Sequence, residues 1–152
     1  MDSLLQVKNL SISLKNEDAA HLVVDQLSFE LKKGKTLALV GESGCGKTLS
    51  SLSLLRILPP PSLPPQGEVI YQGRNLLFEP EKKLRKIRGK QIAMIFQNPT
   101  SSLNPVYTIG EQITDVLELH LGLSSEEAAN KAITTLQEVG FPSPEQRFYE
   151  YP

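Results

Sequence analysis

Eight consecutive residues, Gly41-Glu42-Ser43-Gly44-Cys45-Gly46-Lys47-Thr48, meet the spacing G-x-x-x-x-G-K-[ST] at every fixed position. The chemistry served by this pattern is capture of an anion. Glycines let the backbone curl until successive N–H groups point inward at one spot. A helix starting just after the loop adds the partial positive charge of its N-terminus to the same spot. The Lys47 ammonium can then reach the outer phosphates of a nucleotide, and the Thr48 hydroxyl is placed as a magnesium ligand. A glycine-rich turn without function would carry the same letters, so context decides. Here the apolar run Thr36-Leu37-Ala38-Leu39-Val40 precedes the loop and a helical pattern follows it.

A second polar position stands in a comparable place. Gln97 directly follows the apolar run Ile92-Ala93-Met94-Ile95-Phe96. At the C-terminal edge of an α/β sheet, where ligands collect, a neutral amide can touch magnesium or orient a water. Alone the signal is weak, because some polar residue must follow any strand. Cys45 reads as a small residue filling the loop; Lys47 and the helix N-terminus would favour its thiolate, but no His or carboxylate is placed to make it a nucleophile. The basic run Lys82–Lys90 lacks interleaved aromatics and is partly balanced by Glu79 and Glu81, so it reads as a solvated helix face. His21 and His120 stand far apart and form no metal-ligand spacing.

The elements that must position these residues follow from the pattern of apolar side chains. Leu5 and Val7 share one parity, while Leu10, Ile12 and Leu14 share the other. A bulge near Lys8-Asn9 would keep both sets on one buried face. Asn16-Glu17-Asp18 reads as a turn, and Leu27, Phe29 and Leu31 alternate as in a half-buried strand that ends at Lys33-Gly34-Lys35. Together these suggest an antiparallel layer. The runs 36–40 and 92–96 are apolar without alternation, as in parallel strands buried on both faces. A helix is predicted from Gly46 to Leu58, with Leu49, Leu52, Leu55 and Ile57 on its apolar side and Pro59-Pro60-Pro61 as its stop. Val69-Ile70-Tyr71 is a short strand between Gly67 and Gly73, and Glu79–Lys90 a charged helix. A helix over Ile109–Leu121 is followed by one starting at Ser124, where Ser124 and Glu127 form a capping-box pattern and Ala128, Ala132, Leu136 and Val139 line the inner face. The result is an α/β chain in two parts: a strand-rich nucleotide-binding core over 1–105 and an incomplete helical subdomain over 106–152.

Composition narrows the function classes. With 152 residues, 39% hydrophobic, 22% charged and net charge −1, the chain has neither the basic excess of a nucleic-acid binder nor an acidic tail. A single cysteine excludes a disulfide scaffold, and no apolar run approaches the roughly 18–20 residues of a membrane helix. The start Met1-Asp2-Ser3-Leu4-Leu5-Gln6-Val7-Lys8 lacks a signal-peptide pattern, so a cytosolic setting is expected.

Taken together, Gly41–Thr48, Gly67-Glu68-Val69-Ile70-Tyr71-Gln72-Gly73 and the stretch from Ile92 through Gln97 to Leu103-Asn104-Pro105 resemble the nucleotide-binding subunits of ATP-binding cassette transporters. The last stretch looks like the Q-loop of importers for dipeptides, oligopeptides and nickel. The resemblance runs through essentially the whole chain, to Val139-Gly140-Phe141-Pro142-Ser143-Pro144 and Tyr149-Glu150-Tyr151-Pro152. It implies a RecA-like phosphate-loop core, with Gly41, Ser43, Gly44, Cys45, Gly46, Lys47 and Thr48 on the phosphates of ATP. It also implies Gln97 as the Q-loop glutamine, contacting magnesium together with Thr48. The adenine-stacking aromatic of the family falls near His21, whose imidazole stacks less strongly than Tyr or Phe. Implied partners are membrane permease subunits, a second ATP-binding subunit and, indirectly, a solute-binding protein, with the chain peripheral on the cytoplasmic face of the membrane.

The family's Leu-Ser-Gly-Gly-Gln signature follows a Tyr-Pro like Tyr151-Pro152, where this sequence stops. Its Walker B aspartate, catalytic glutamate and switch histidine have no counterpart among the 152 residues. The expectation is therefore a truncated core that binds ATP and hardly hydrolyses it, with apolar strands left unpaired and marginal solubility. A non-hydrolysing module that docks on a permease through the Gln97 loop and the helices after Thr108 is the alternative. An unrelated phosphate-loop kinase is disfavoured by the Q-loop similarity.

Overall fold

The computed structural model describes residues 3–16, 19–98 and 102–152, so parts of the Asn16-Glu17-Asp18 turn and of the Gln97 loop lie outside the described residues. The chain divides into two compact units, Met1–Arg85 and Lys86–Pro152.

The first unit is built on an antiparallel sheet of order β2-β1-β3-β4. β1 (Ser3–Lys15) pairs with β2 (Ala20–Lys32) on one side and β3 (Gln66–Tyr71) on the other, and β3 turns back into the short β4 (Arg74–Asn75). The change of parity in β1 is a bulge. Register shifts between Val7 and Leu10, and Asn9 adopts φ 48°. Leu5, Val7, Leu10 and Ile12 are all buried as a result. The Asn9 amide, released from the ladder, donates to the Ser28 hydroxyl at 2.8 Å. Gly67 fits where β3 passes this bulge: a Cβ there would lie 2.5 Å from the Asn9 carbonyl oxygen. Gln72 and Gly73 both take positive φ, as a tight two-residue hairpin requires.

The helix after the glycine loop, α1 (Lys47–Leu54), is shorter than its pattern predicts. It ends because Arg56 turns to φ 53° and the Ile57 amide reaches back to the Leu52 carbonyl at 3.1 Å, ahead of the prolines. Its buried positions also differ. Ser50 and Ser53 lie inside with Leu55, their hydroxyls satisfied by the Gly46 and Ser50 carbonyls at 2.9 and 2.7 Å. The charged stretch contributes α2 (Glu81–Ile87), with Leu84 and Ile87 buried.

The two runs expected as buried parallel strands do not form strands. Residues 36–40 are exposed throughout, Val40 at 92%, and among the described residues none of them is paired in a ladder. In the second run Ile92 makes one isolated bridge to Arg88, while Ile95 is 95% exposed. An apolar run becomes an interior strand only with neighbours on both sides, and among the described residues neither run is built into a sheet. In the antiparallel layer the β1–β2 and β3–β4 hairpins pair locally, and β3 joins β1 across the intervening chain.

The second unit is helical: α3 (Ile109–Leu121), α4 (Ser125–Glu138) and the single turn α5 (Pro144–Arg147). Both long helices begin with full capping boxes, Thr108 with Glu111 and Ser124 with Glu127. Ala128 and Ala132 are buried, whereas Val139, expected on the inner face with them, is exposed. Gly110 gives α3 its close approach to Phe148, since a Cβ there would meet the ring at 2.5 Å.

Candidate functional sites in the two units

In the first unit the glycine loop runs from Gly41 into the start of α1. Gly44 and Gly46 adopt φ 83° and 89°, conformations that a side chain would resist. Gly46 is the N-cap of α1 and no side chain caps the helix. The first N–H groups of the helix therefore remain available to an anion. Gly46 also has no room for a side chain: a Cβ would lie 2.5 Å from Val24 Cγ2. β2 thus fixes where the loop enters the helix. Gly41 is tight for a different reason, a Cβ there standing 2.7 Å from Cys45 Sγ.

Lys47, first residue of α1, turns its ammonium back into the loop. Nζ donates to the Gly41 and Glu42 carbonyls at 2.7 and 2.6 Å and lies 3.4 Å from Cys45 Sγ. A cation is thus held beside the uncapped helix end. Both features suit a polyphosphate. Ser43 and Thr48 are exposed at the loop and first turn, with the Thr48 hydroxyl on the first turn of the helix. Among the described residues no cluster of three His, Cys, Asp or Glu is placed to hold a metal ion. His21 is exposed on β2, opposite Leu14 and three residues before Val24.

In the second unit Gln97 is exposed. A cleft of about 790 Å³ lies further along the same unit, lined by Leu103, Pro105, Ile109, Phe141 and Tyr151, with the Arg147–Glu150 ion pair (2.8 Å) at its edge. The Glu150 carbonyl accepts from the Ile109 amide at 2.9 Å and ties the two sides together. The Thr108 backbone amide, then its hydroxyl, hold the Glu111 carboxyl below its usual pKa. The Ser124 hydroxyl, then its amide, do the same for Glu127. The Thr108-x-x-Glu111 spacing was the signal that could have announced the first of these caps, and the sequence reading missed it.

Comparison with known proteins decides the family. A sequence model described as ABC transporter matches residues 24–151. The chain belongs to the ABC transporter family. It is 43% identical over 150 residues to the oligopeptide transport ATP-binding protein OppD of Bacillus subtilis, covering 98% of this chain and 42% of that protein. It is 39% identical over 153 residues to the dipeptide transport ATP-binding protein DppD of the same organism, covering 100% of this chain and 46% of that one. The chain thus spans less than half the length of these relatives. Among solved structures, the ATP-binding cassette MJ0796, a dimer in a post-hydrolysis state bound to ADP and Pi, superposes with a TM-score of 0.80 at 22% identity, covering 97% of this chain and 61% of that one. The likeness shows the fold: an ABC cassette core, of which the antiparallel layer, α1 and the helical unit are formed here. Among the described residues, no helix is long and apolar enough to cross a membrane.

Proposed function

We propose that this chain is the nucleotide-binding part of the energy-coupling subunit of an ABC importer for peptides or nickel, with residues 1–105 serving the nucleotide and 106–152 the start of the helical subdomain. The observation that carries the reading is the Lys47 ammonium held at the mouth of an uncapped helix by a loop of left-handed glycines. Gly41, Ser43, Gly44, Cys45, Gly46, Lys47 and Thr48 would hold the phosphates of ATP, with Thr48 and Gln97 toward magnesium and His21 toward the adenine. When bound, magnesium would neutralise phosphate charge. The chain's own part is to bind and orient: the helix N–H groups and Lys47 fix the phosphates, and Val24 fixes the loop.

The apolar cleft supports the partner side of this reading. Leu103, Phe141 and Tyr151 are exposed large apolar side chains around one opening. A permease segment docking there would cover them, and a second ATP-binding subunit would complete the assembly at the inner face of the membrane. The test is binding of a fluorescent ATP analogue to the purified chain. Displacement by ATP and ADP, with adenosine ineffective, is expected; equal displacement by adenosine would mean that the phosphates are not what is recognised.

A further inference from the structure

One wall of the apolar cleft is made by Leu103 and Pro105, and the residue between them, Asn104, is held in an unusual way. The Gln112 side chain on α3 pairs with it as a strand would. Its Oε1 accepts from the Asn104 amide at 2.8 Å, and its Nε2 donates to the Asn104 carbonyl at 3.0 Å. Nε2 also donates to the Tyr107 carbonyl at 3.0 Å. Gln112 is itself half-buried. The segment adds bonds of its own: Asn104 Oδ1 accepts from the Val106 amide at 3.1 Å, and Thr108 caps α3 through Glu111. So in a five-residue stretch outside any regular element, residues 104–108, the Asn104 amide and carbonyl and the Tyr107 carbonyl are all satisfied from one side chain of the helix the stretch leads into.

Only an amide of this length can do this. The pattern needs one acceptor and at least two donors on one planar group, which Gln supplies and a carboxylate or hydrocarbon does not. The cost of holding a loop segment is conformational entropy, which a partner must otherwise supply on binding. Resting on the docking reading above, we propose that Gln112 is a positioning residue that pre-orders the 104–108 wall of the cleft before any partner arrives. Val106 and Tyr107, both exposed, are displayed from that fixed backbone.

The test is site-resolved amide hydrogen exchange on the 152-residue chain and two variants. In Gln112→Met, which keeps side-chain volume, the Asn104 amide should exchange about tenfold faster, the size expected for one lost hydrogen bond, while the amides of α4 stay unchanged. Gln112→Glu adds a pH profile. Its ionised form sets oxygens against the Asn104 and Tyr107 carbonyls, whereas its protonated form regains a donor beside an acceptor. Protection of the Asn104 amide, corrected for intrinsic exchange, should therefore rise in this variant as pH falls from 7 to 5, and stay flat in the parent chain. An Asn104 amide equally fast in the parent chain and Gln112→Met, equal acceleration throughout α4, or no pH trend in Gln112→Glu would each overturn the proposal. Failure of the chain to bind nucleotide or permease would leave these exchange rates untouched and would count against the docking reading alone.

Discussion

The Lys47 ammonium donates to the Gly41 carbonyl at 2.7 Å, so the first and seventh residues of the phosphate loop are joined by a side chain whose ordinary partner would be a nucleotide. That bond closes the curl of the loop and holds the cation beside the uncapped start of α1.

Gly46 is the position least able to change. At φ 89° an L side chain costs about 1–2 kcal/mol, and a Cβ would also strike Val24 Cγ2 at 2.5 Å. Gly46→Ala should displace the start of α1 and weaken ATP binding about tenfold or more, as read by titration with a fluorescent analogue. Adding Val24→Ala relieves the contact but leaves the dihedral strain, so the double variant should recover only part of the loss. Full recovery would show that the backbone conformation carries no weight.

The two capping boxes make a prediction about acid. Glu111 and Glu127 have their folded-state pKa values lowered, by Thr108 and Ser124 respectively. A lowered folded pKa means that the unfolded chain binds the proton more readily. The caps' contribution is therefore present above the unfolded value of about 4.5 and is lost as pH falls through the folded values. Helical circular dichroism with urea midpoints taken between pH 7 and pH 3 should show destabilisation confined to the acid end. Ser124→Ala should cost about 1 kcal/mol at pH 7 and flatten part of that acid slope. An unchanged slope would remove Glu127 from the explanation.

Much of this fold was legible because the forces that form it are local. The parity switch between Val7 and Leu10 announced the β1 bulge, and Ser124 with Glu127 announced the cap of α4. The limits of α3, Ile109–Leu121, agree with its apolar spacing. The runs 36–40 and 92–96 were read as strands because apolar continuity signals burial on both faces, yet continuity says nothing about whether a partner strand exists. Ser50 and Ser53 replaced the expected leucines inside α1 because their hydroxyls bond to the helix backbone, which periodicity cannot show. The loop from Gly41 to Thr48 was evident as a motif from spacing alone. Gln112 was not, since its role depends on a loop folding back onto its helix.

The unpaired apolar runs carry a prediction of their own. Leu37, Leu39, Val40, Ile95 and Phe96 are exposed, and a bare apolar segment is a template for association. The chain should associate as concentration rises, and Val40→Lys with Ile95→Lys should suppress this without raising the affinity for ATP. Light scattering across a concentration series reads the effect. A parent chain that stays monomeric up to the solubility of the double variant would contradict it.

The central claim is that the loop from Gly41 to Thr48 binds nucleotide phosphate through Lys47. Its most direct test is isothermal titration of ATP with magnesium into the parent chain and into Lys47→Ala, the fold of each checked by circular dichroism. Loss of a charge-assisted contact of about 1.5–3 kcal/mol predicts affinity lower by a factor of about ten to a hundred in the variant. Equal affinity of the two proteins for ATP, with both folded, would contradict the account.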